Sequence, residues 1–444
     1  MDLAILDRPA AVGDGRENSP GRRRLAGPGR VRALAGVLLT LSVMLGSGGA
    51  IVPTVGGPEL PGLTIGVTHT QRSADHWNDR SAVDRALGVL ESVAPVQNQH
   101  LMGWGALNPE PRPGEYDFAS LDRRIRMITR TGAEPVLTLC CAPDWMKGGS
   151  KGSTDWDHLH AAPTPDHFDD FARLAQVTAA RYPGVRRFIV WNELKGFYDE
   201  ERNRWDAVGY TEMYNHIYRA VKEVRPDALV GGPHVVVDSW SSAESASHPS
   251  AVTGPWGVLD QRALDVVEYW LANAVGADFI AVDGSTGTRD SGLTTTDFAA
   301  TEKLGAVTRW VRSRTDLPVW WVEMYATTER QSPSSDPRRA AVMAQALVTV
   351  AQAGASGALL WQPEASEDVR TAALFTDTTS SDGGRPLPLV SLLKAISAQL
   401  QEDPRNVVTY WSPSRSQWTL LTPDWSVGWS AETGLQGPYP ADSA

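Results

Sequence analysis

Eight short apolar, β-rich runs, each followed by an amphipathic helical stretch, predict an α/β chain folded as a (β/α)8 TIM barrel, with a small C-terminal β appendage. The runs recur at intervals of roughly 30–50 residues, which is the spacing that a parallel strand and its crossover helix require. Their near-continuous apolar character suits strands buried on both faces. Two of them end on a glutamate. Arg187–Trp191 runs into Asn192-Glu193, and Val319–Val322 runs into Glu323. An unpartnered carboxylate beside an apolar core costs several kcal/mol, but the C-terminal mouth of a barrel is where catalytic groups sit.

The elements follow in order. A Pro/Gly linker, 53–62, precedes the first strand, Leu63–Thr68, and a first helix over Ser81–Val93. The second strand, Val96–Met102, is followed by a helix over Phe118–Thr131, and the third, Pro135–Leu139, by a helix over Pro165–Arg181. In that helix Phe168, Phe171, Leu174 and Ala175 share one face. Strand four, Arg187–Trp191, precedes a helix over Thr211–Val224, and strand five, Leu229–Gly232, a helix over Gln261–Val275. Strand six, Phe279–Val282, leads to a helix over Asp297–Arg314, and strand seven, Val319–Val322, to one over Pro337–Ala353. Strand eight, Ala358–Trp361, and a last helix, Val390–Leu400, close the barrel domain, 63–402. The remainder, 403–444, changes character. Val407–Trp411 and Trp418–Leu421 read as strands joined by a turn at Ser412–Arg415.

Composition narrows the function. The chain has 444 residues, which one barrel with insertions largely fills, and 42% are apolar, enough for a large core. The net charge is -11 and no basic stripe lies outside the N-terminus, which argues against a nucleic-acid partner. Of the 17 tryptophans, Trp104, Trp145, Trp191 and Trp361 fall near strand ends, where an indole face can stack on a sugar ring. The two cysteines, Cys140 and Cys141, are adjacent. A bridge between neighbours closes no useful loop, so both are expected to be thiols. Residues 1–52 combine Arg22, Arg23, Arg24, Arg30 and Arg32, an apolar Ala33–Leu45 and small residues at Gly46–Ala50. That is the pattern of an export signal, and Val31–Val52 is also about long enough for a membrane anchor. Either reading places the folded part outside the cytoplasm, secreted or in the cell envelope, facing polymers and exported sugars.

The two strand-end glutamates lie about 130 residues apart in sequence but on one barrel rim. Glycosidic cleavage needs such a pair: an acid to protonate the leaving oxygen, and a carboxylate that attacks the anomeric carbon or activates water. Asn192 is placed to bond the sugar 2-OH. No His-x-x-x-His spacing and no Gly-rich phosphate loop after strand one is present, so neither metal nor cofactor is expected.

Specific motifs strengthen this reading. Trp191-Asn192-Glu193 resembles the acid/base motif at strand four of clan A glycoside hydrolases, and Pro113-Gly114-Glu115-Tyr116-Asp117-Phe118 with Leu121-Asp122 is also typical of that clan. Leu139 to Met146, Arg181-Tyr182-Pro183-Gly184-Val185 and Gly231-Gly232-Pro233 are similar to the family 39 branch, which includes β-xylosidases, α-L-iduronidase and exopolysaccharide-cleaving endoglycosidases. The resemblance spans about 63–400. It implies a retaining glycosidase acting on an oligo- or polysaccharide, with Glu193 as acid/base, protonated at the outset, and Glu323 as an ionised nucleophile.

His69, Gln99, Trp145, His234, Tyr325 and Trp361 are the further candidates for lining the sugar site, and Glu364 is expected to face solvent. Two departures stand out: Leu194-Lys195 where the branch usually has Pro after Glu, and Asp283 ending strand six where a His or Tyr is common. Asp283 puts a third acid on the rim, to bind a hydroxyl or a cationic group or to cap a helix. These departures keep open a non-catalytic carbohydrate-binding envelope protein and a transglycosylase.

Overall fold

The computed structural model describes residues 60–328, 336–366 and 371–440. The expected export segment lies outside them, and among the described residues no helix is long and apolar enough to cross a membrane.

The eight strands are β1 (Thr64–Thr68), β2 (Val96–His100), β3 (Glu134–Leu139), β4 (Arg187–Val190), β5 (Leu229–Val236), β6 (Phe279–Ser285), β7 (Val319–Tyr325) and β8 (Gly357–Trp361). They close in the order β1-β8-β7-β6-β5-β4-β3-β2, and every pairing is parallel. The crossover helices are α1 (Arg80–Val93), α2 (Ala119–Arg130), α3 (Phe168–Arg181), α4 (Ala207–Val224), α5 (Gln261–Asn273), α6 (Glu302–Arg312), α7 (Asp336–Gln352) and α8 (Pro388–Glu402). The (β/α)8 barrel is therefore observed. Asp79, Asp206 and Asp260 start α1, α4 and α5 by accepting a backbone N–H with their side chains, as short acidic residues do at a helix N-terminus.

One apolar cluster joins Val96, Val136, Ile189, Phe279, Ala281, Trp320, Val322 and Leu359, with Leu229 packed against it. It draws on β2 to β8 and excludes water from the core. A buried polar chain ties three strands to β7: Thr138 Oγ1 donates to Asn98 Oδ1 (3.0 Å), Asn98 Nδ2 to Thr68 Oγ1 (3.2 Å), and Thr68 Oγ1 to the Val322 carbonyl (2.5 Å). Each of these groups finds a partner, as burial demands. Glycine is required at 231, where a Cβ would come within 2.4 Å of the Phe279 ring.

Within the barrel the structure departs from the sequence expectations in four places. Cys140 and Cys141 are not thiols but form a disulfide with their Cα atoms 3.0 Å apart. The peptide between them is cis, which brings the two sulfurs together. The stretch Asp297–Arg314 is not one helix: a short turn, Asp297–Ala300, ends before α6, where Thr301 Oγ1 donates back to the Phe298 carbonyl (2.7 Å). Glu364 is buried and accepts from Ala74 N (2.6 Å), Thr378 N (2.7 Å) and Thr378 Oγ1 (2.7 Å). It ties the loop after β1 to the segment before α8, where solvent exposure was expected. Finally, the loops after β4 and β5 carry a two-stranded ribbon (Tyr198–Asp199 with Arg204–Trp205) and a three-stranded sheet (Ser239–Trp240, Pro249–Gly254 and Gly257–Asp260).

The C-terminal appendage has four antiparallel strands rather than two: β9 (Val408–Ser412), β10 (Gln417–Leu421), β11 (Trp425–Ser430) and β12 (Gly434–Pro440). It is fixed to the barrel by aromatic packing. Phe298 stacks on Trp411 and Trp418 at 5.1 and 5.8 Å. The Arg338 guanidinium lies 5.0 Å from the Trp429 ring centroid and is paired to Asp297 at 2.7 Å, an arrangement that combines cation–π attraction with a charged bond.

Candidate active site

The site begins where β4 ends. Trp191, Glu193 and Leu194 take φ angles of 68°, 52° and 49°, a left-handed region that side chains other than glycine rarely enter. Packing and local bonds hold them there. Trp191 is buried edge-to-face between Phe171 and Phe197, and its Nε1 donates to the Lys195 carbonyl (2.7 Å). Lys195 N donates to the Asn192 carbonyl and Phe197 N to the Leu194 carbonyl, both at 3.0 Å. The turn brings the Lys195 ammonium back onto the Glu193 carboxylate as an ion pair. Leu194 is what permits this path. A proline there, with φ locked near −65°, does not reach +49°.

The other carboxyls are aimed by irregularities in β5 and β7. The pairing of β6 with β5 skips His234, and the pairing of β6 with β7 skips Val322. Each skip is a bulge, which bends the strand and redirects its side chains. Past the second bulge Asp283 lies beside Glu323 in register. His234, at φ 54°, donates from Nδ1 to the Trp191 carbonyl (3.0 Å). That leaves Nε2 as an acceptor in the neutral ring, 3.8 Å from Asp283 Oδ2.

His100, at the end of β2, completes the wall. Its Nε2 lies 3.3 Å from Asn192 Oδ1 and 3.5 Å from Glu323 Oε1, and its ring stacks on Trp104 at 3.9 Å. Asn192 Nδ2 has no partner among the described residues and is free to donate to a ligand hydroxyl. His160 sits 5.4 Å from Trp104, edge-on.

Burial and charge set the protonation states. Burial alone would raise the Glu193 carboxyl, but the charge and hydrogen bond of Lys195 bring it down to about 2. Burial and the Glu193 charge push Glu323 up to about 7, against the opposing charge of Lys195. Burial, then Glu193 and Glu323, push Asp283 well above the usual carboxylate range. Burial also drives His100 down to about 3, and lowers His234, so both rings are neutral. The site therefore has Glu193 ionised and Glu323 partly protonated at neutral pH. This is the reverse of the expected starting order: the Lys195 ion pair keeps Glu193 ionised, while burial and the Glu193 charge favour a proton on Glu323.

The candidate residues divide by placement. Glu193, Glu323, Asn192, His234 and Asp283 converge on one cluster. Tyr325 is beside it, since the charges of Asp283, Glu193 and Glu323, after burial, hold its phenol well above its ordinary range. Trp361 is half-buried next to Tyr325, with ring centroids 6.0 Å apart. The other three are committed to internal bonds. His69 Nε2 pairs with Gln97 Oε1 (2.9 Å), Gln99 accepts from Arg124 Nε (2.7 Å), and Trp145 donates to the Glu110 carbonyl (2.9 Å).

Sequence reasoning singled out Trp104 as a strand-end indole but missed His100, His160 and the return of Lys195. Only His100 carried a signal, since it ends the polar run Gln97-Asn98-Gln99 on β2. His234, Asp283 and Glu323 bring one ligand atom each within 4.8 Å of one another, a spacing that sequence motifs did not show. The Lys195 ammonium acts on both of those carboxyls, and its positive charge opposes a second cation there.

Comparison with known proteins fits this geometry. The family described as glycosyl hydrolases family 39 matches residues 109–359. Among solved structures, a monomeric β-xylosidase from Caulobacter crescentus CB15 is similar at 15% identity, with 82% of this chain and 74% of that chain covered and a TM-score of 0.52. The GH39 enzyme from Xanthomonas axonopodis pv. citri is similar at 16% identity, with 86% and 73% covered and a TM-score of 0.51. Xylanase 10B from Thermotoga maritima is similar at 13% identity, with 77% and 96% covered and a TM-score of 0.50. At these identities the likeness is one of fold. No functionally curated protein matches the sequence.

Proposed function

Because the chain belongs to glycosyl hydrolases family 39 and is a glycosidase, we propose that it is an exported retaining enzyme cleaving an oligo- or polysaccharide, with Glu323 as nucleophile and Glu193 as acid/base. The observation that carries this reading is the meeting of the two glutamates, from the ends of β4 and β7, in one buried cluster: His100 Nε2 lies 3.5 Å from Glu323 and 3.3 Å from Asn192, the residue before Glu193, and the Lys195 ammonium acts on both carboxyls. A single strand-end glutamate has many structural uses. Two on one rim, beside a free Asn192 amide, match the requirements of double displacement.

In the first step Glu323 attacks the anomeric carbon and forms a glycosyl ester, while the leaving oxygen takes a proton from the Glu193 side. In the second, Glu193 takes a proton from water, the water oxygen bonds to the anomeric carbon, and the Glu323 carboxylate leaves. The unpartnered Asn192 Nδ2 is available to the 2-OH, a bond that strengthens as positive charge develops on the ring. The basic, apolar and small-residue order of 22–50 supports export, and a disulfide at Cys140–Cys141 suits the oxidising conditions outside the cytosol.

Purified Glu323→Ala and Glu193→Ala proteins, assayed on a panel of aryl glycosides, test the assignment. Both should lose turnover. External azide should restore it in each variant, with opposite anomeric configuration in the two glycosyl azides. Unchanged turnover in either variant sinks the proposal. Saccharide binding without product release from the unaltered protein points instead to a carbohydrate-binding envelope protein.

A further inference from the structure

Three side chains that meet at the ends of β5, β6 and β7 are better arranged for a guest than for one another. His234, Asp283 and Glu323 are buried, with 0%, 1% and 4% of their surfaces exposed, and bring one ligand atom each within 4.8 Å of one another. Among the described residues, His234 Nε2, both Asp283 carboxyl oxygens and Glu323 Oε1 make no hydrogen bond. Buried polar atoms are nearly always paired, and an unpaired one costs about 1–3 kcal/mol, more where it is charged. Each of these atoms offers a lone pair, so the partner that serves them takes lone pairs from all three side chains. A single water molecule, with two hydrogens, serves only two of them.

The way His234 is held indicates the kind of partner. Its Nδ1–H donates to the Trp191 carbonyl (3.0 Å), which fixes the tautomer and leaves the Nε2 lone pair free, 3.8 Å from Asp283 Oδ2. Histidines that ligate metals are anchored in this way, with the other ring nitrogen on a backbone carbonyl or a carboxylate. Burial lowers the proton affinity of the ring, so Nε2 is open. The bulges at His234 and Val322 aim the imidazole and the Glu323 carboxyl at one point. One imidazole with two carboxylates suits Zn2+, whereas Mg2+ and Ca2+ favour oxygen ligands throughout. Zn2+ holds such ligands at about 2.0–2.2 Å, which sets tetrahedral ligand atoms about 3.4 Å apart. Turning the Asp283 carboxyl closes the few tenths of an ångström between that spacing and 3.8 Å. Three protein ligands leave a fourth position for water or a sugar hydroxyl.

The two nearby ammonium groups do not fill this place. Lys195 opposes a cation, but it is in contact with the Glu193 carboxylate, and a neutral pair repels an ion far less than a bare ammonium does. Lys303, whose charge also meets Asp283, donates to the Gly287 carbonyl (2.9 Å). Asp283 and Glu323 are left as two carboxyls without a cation of their own.

We propose that His234, Asp283 and Glu323 form a Zn2+ site, and that the bound ion ties up the Glu323 carboxylate and holds the enzyme inactive until it is removed. The masking rests on Glu323 being the nucleophile; the binding does not. The ion takes no part in the reaction, and substrate and Zn2+ compete for the same carboxylate. This gives the acid at the end of β6 a use that hydrolysis does not require of it.

The first arm of the test needs no turnover. Full-length protein stripped with EDTA and dialysed is titrated with ZnCl2 by calorimetry, and separately with CoCl2, whose visible spectrum reports nitrogen and oxygen ligands. One equivalent of Zn2+ should bind, and MgCl2 at the same concentrations should not. Asp283→Asn keeps the size of the side chain and should weaken Zn2+ binding by about 100-fold or more, since even partners behind the ligands are worth 10–100-fold. His234→Gln should do the same, and circular dichroism of both variants checks that they are folded. No binding to the unaltered protein, or equal binding to folded Asp283→Asn, overturns the proposal. In the second arm, ZnCl2 should inhibit aryl glycoside hydrolysis by raising KM with kcat unchanged, and EDTA should restore the rate. Asp283-dependent binding with undiminished turnover overturns the masking of Glu323, and a rate that falls in EDTA and returns with Zn2+ overturns it too. If no glycoside is turned over with or without EDTA, the glycosidase reading of Glu193 and Glu323 fails, while the titrations still decide the metal site.

Discussion

Glu193 stands on a left-handed turn with 20% of its side chain exposed and a lysine against it, whereas Glu323 lies beyond a bulge in a buried strand with 5% exposed, beside Asp283 and two neutral histidines. The same carboxyl is pulled down to about 2 in the first setting and pushed up to about 7 in the second. What differs is the solvation and the nearest charge. The turn at β4 gives its glutamate partial exposure and a counter-charge, as befits a group that exchanges protons with solvent and substrate. The strand at β7 gives its glutamate a fixed position and a poor environment for charge, as befits a nucleophile that gains by losing that charge in an ester.

The largest expected effect follows from that contrast. Glu323→Gln removes the only bond-forming group and should lower kcat by about 10⁴-fold or more on every leaving group. Glu193→Gln should lower kcat/KM by about 10²–10⁴-fold, and only where the leaving group needs a proton. Steady-state rates across a series of aryl glycosides check this. A flat response to leaving group in Glu193→Gln, or a steep one in Glu323→Gln, would exchange the two roles.

A second prediction concerns stability and runs in the opposite direction. The folded state raises the Glu323 carboxyl to about 7 from an ordinary value of 4.5, so between those values the folded protein binds a proton that the unfolded chain has lost. Stability then falls as pH rises from about 4.5 to 7, and the full penalty is present above 7. Glu323→Gln abolishes that penalty. It should raise thermal stability at pH 8 by on the order of 2–3 kcal/mol and leave it nearly unchanged at pH 4. A gain of this kind at a dead active site is the usual trade between function and stability. Equal thermal midpoints of the two proteins at pH 8 would show that the strand end bears no such cost.

Much of this comparison was legible in the sequence, and the rest was not for identifiable reasons. The eight strands declared themselves because burial on both faces writes apolar runs such as Phe188-Ile189-Val190, and the two glutamates declared themselves by ending such runs. The bulges at His234 and Val322 did not. Register depends on which residue of a neighbouring strand is opposite, and that is fixed only when the barrel closes. The placement of Asp283 beside Glu323 depends on the second of those bulges. Lys195 was visible only as a departure from a familiar motif. Its return to Glu193 needs the left-handed turn that the packing of Trp191 against Phe171 and Phe197 imposes. Glu364 reads as a loop residue and is buried because loops far apart in sequence meet on it. The Cys140–Cys141 bridge was excluded by an argument about loop closure, which has no bearing on neighbours joined by a cis peptide.

The smallest predicted effect tests whether Lys195 makes the two glutamates unlike. Its charge lowers both carboxyls, so Lys195→Met should let both rise. The rise in Glu323 shifts the acidic limb of kcat/KM, because activity requires that group ionised and is lost as pH falls through its value. The limb should move to higher pH by about one unit or less, since the ammonium acts on Glu323 at longer range than burial or Glu193 does. The shift is read from pH–rate profiles of the variant and the unaltered protein. An unmoved acidic limb would show that the contrast between the strand ends arises from burial alone.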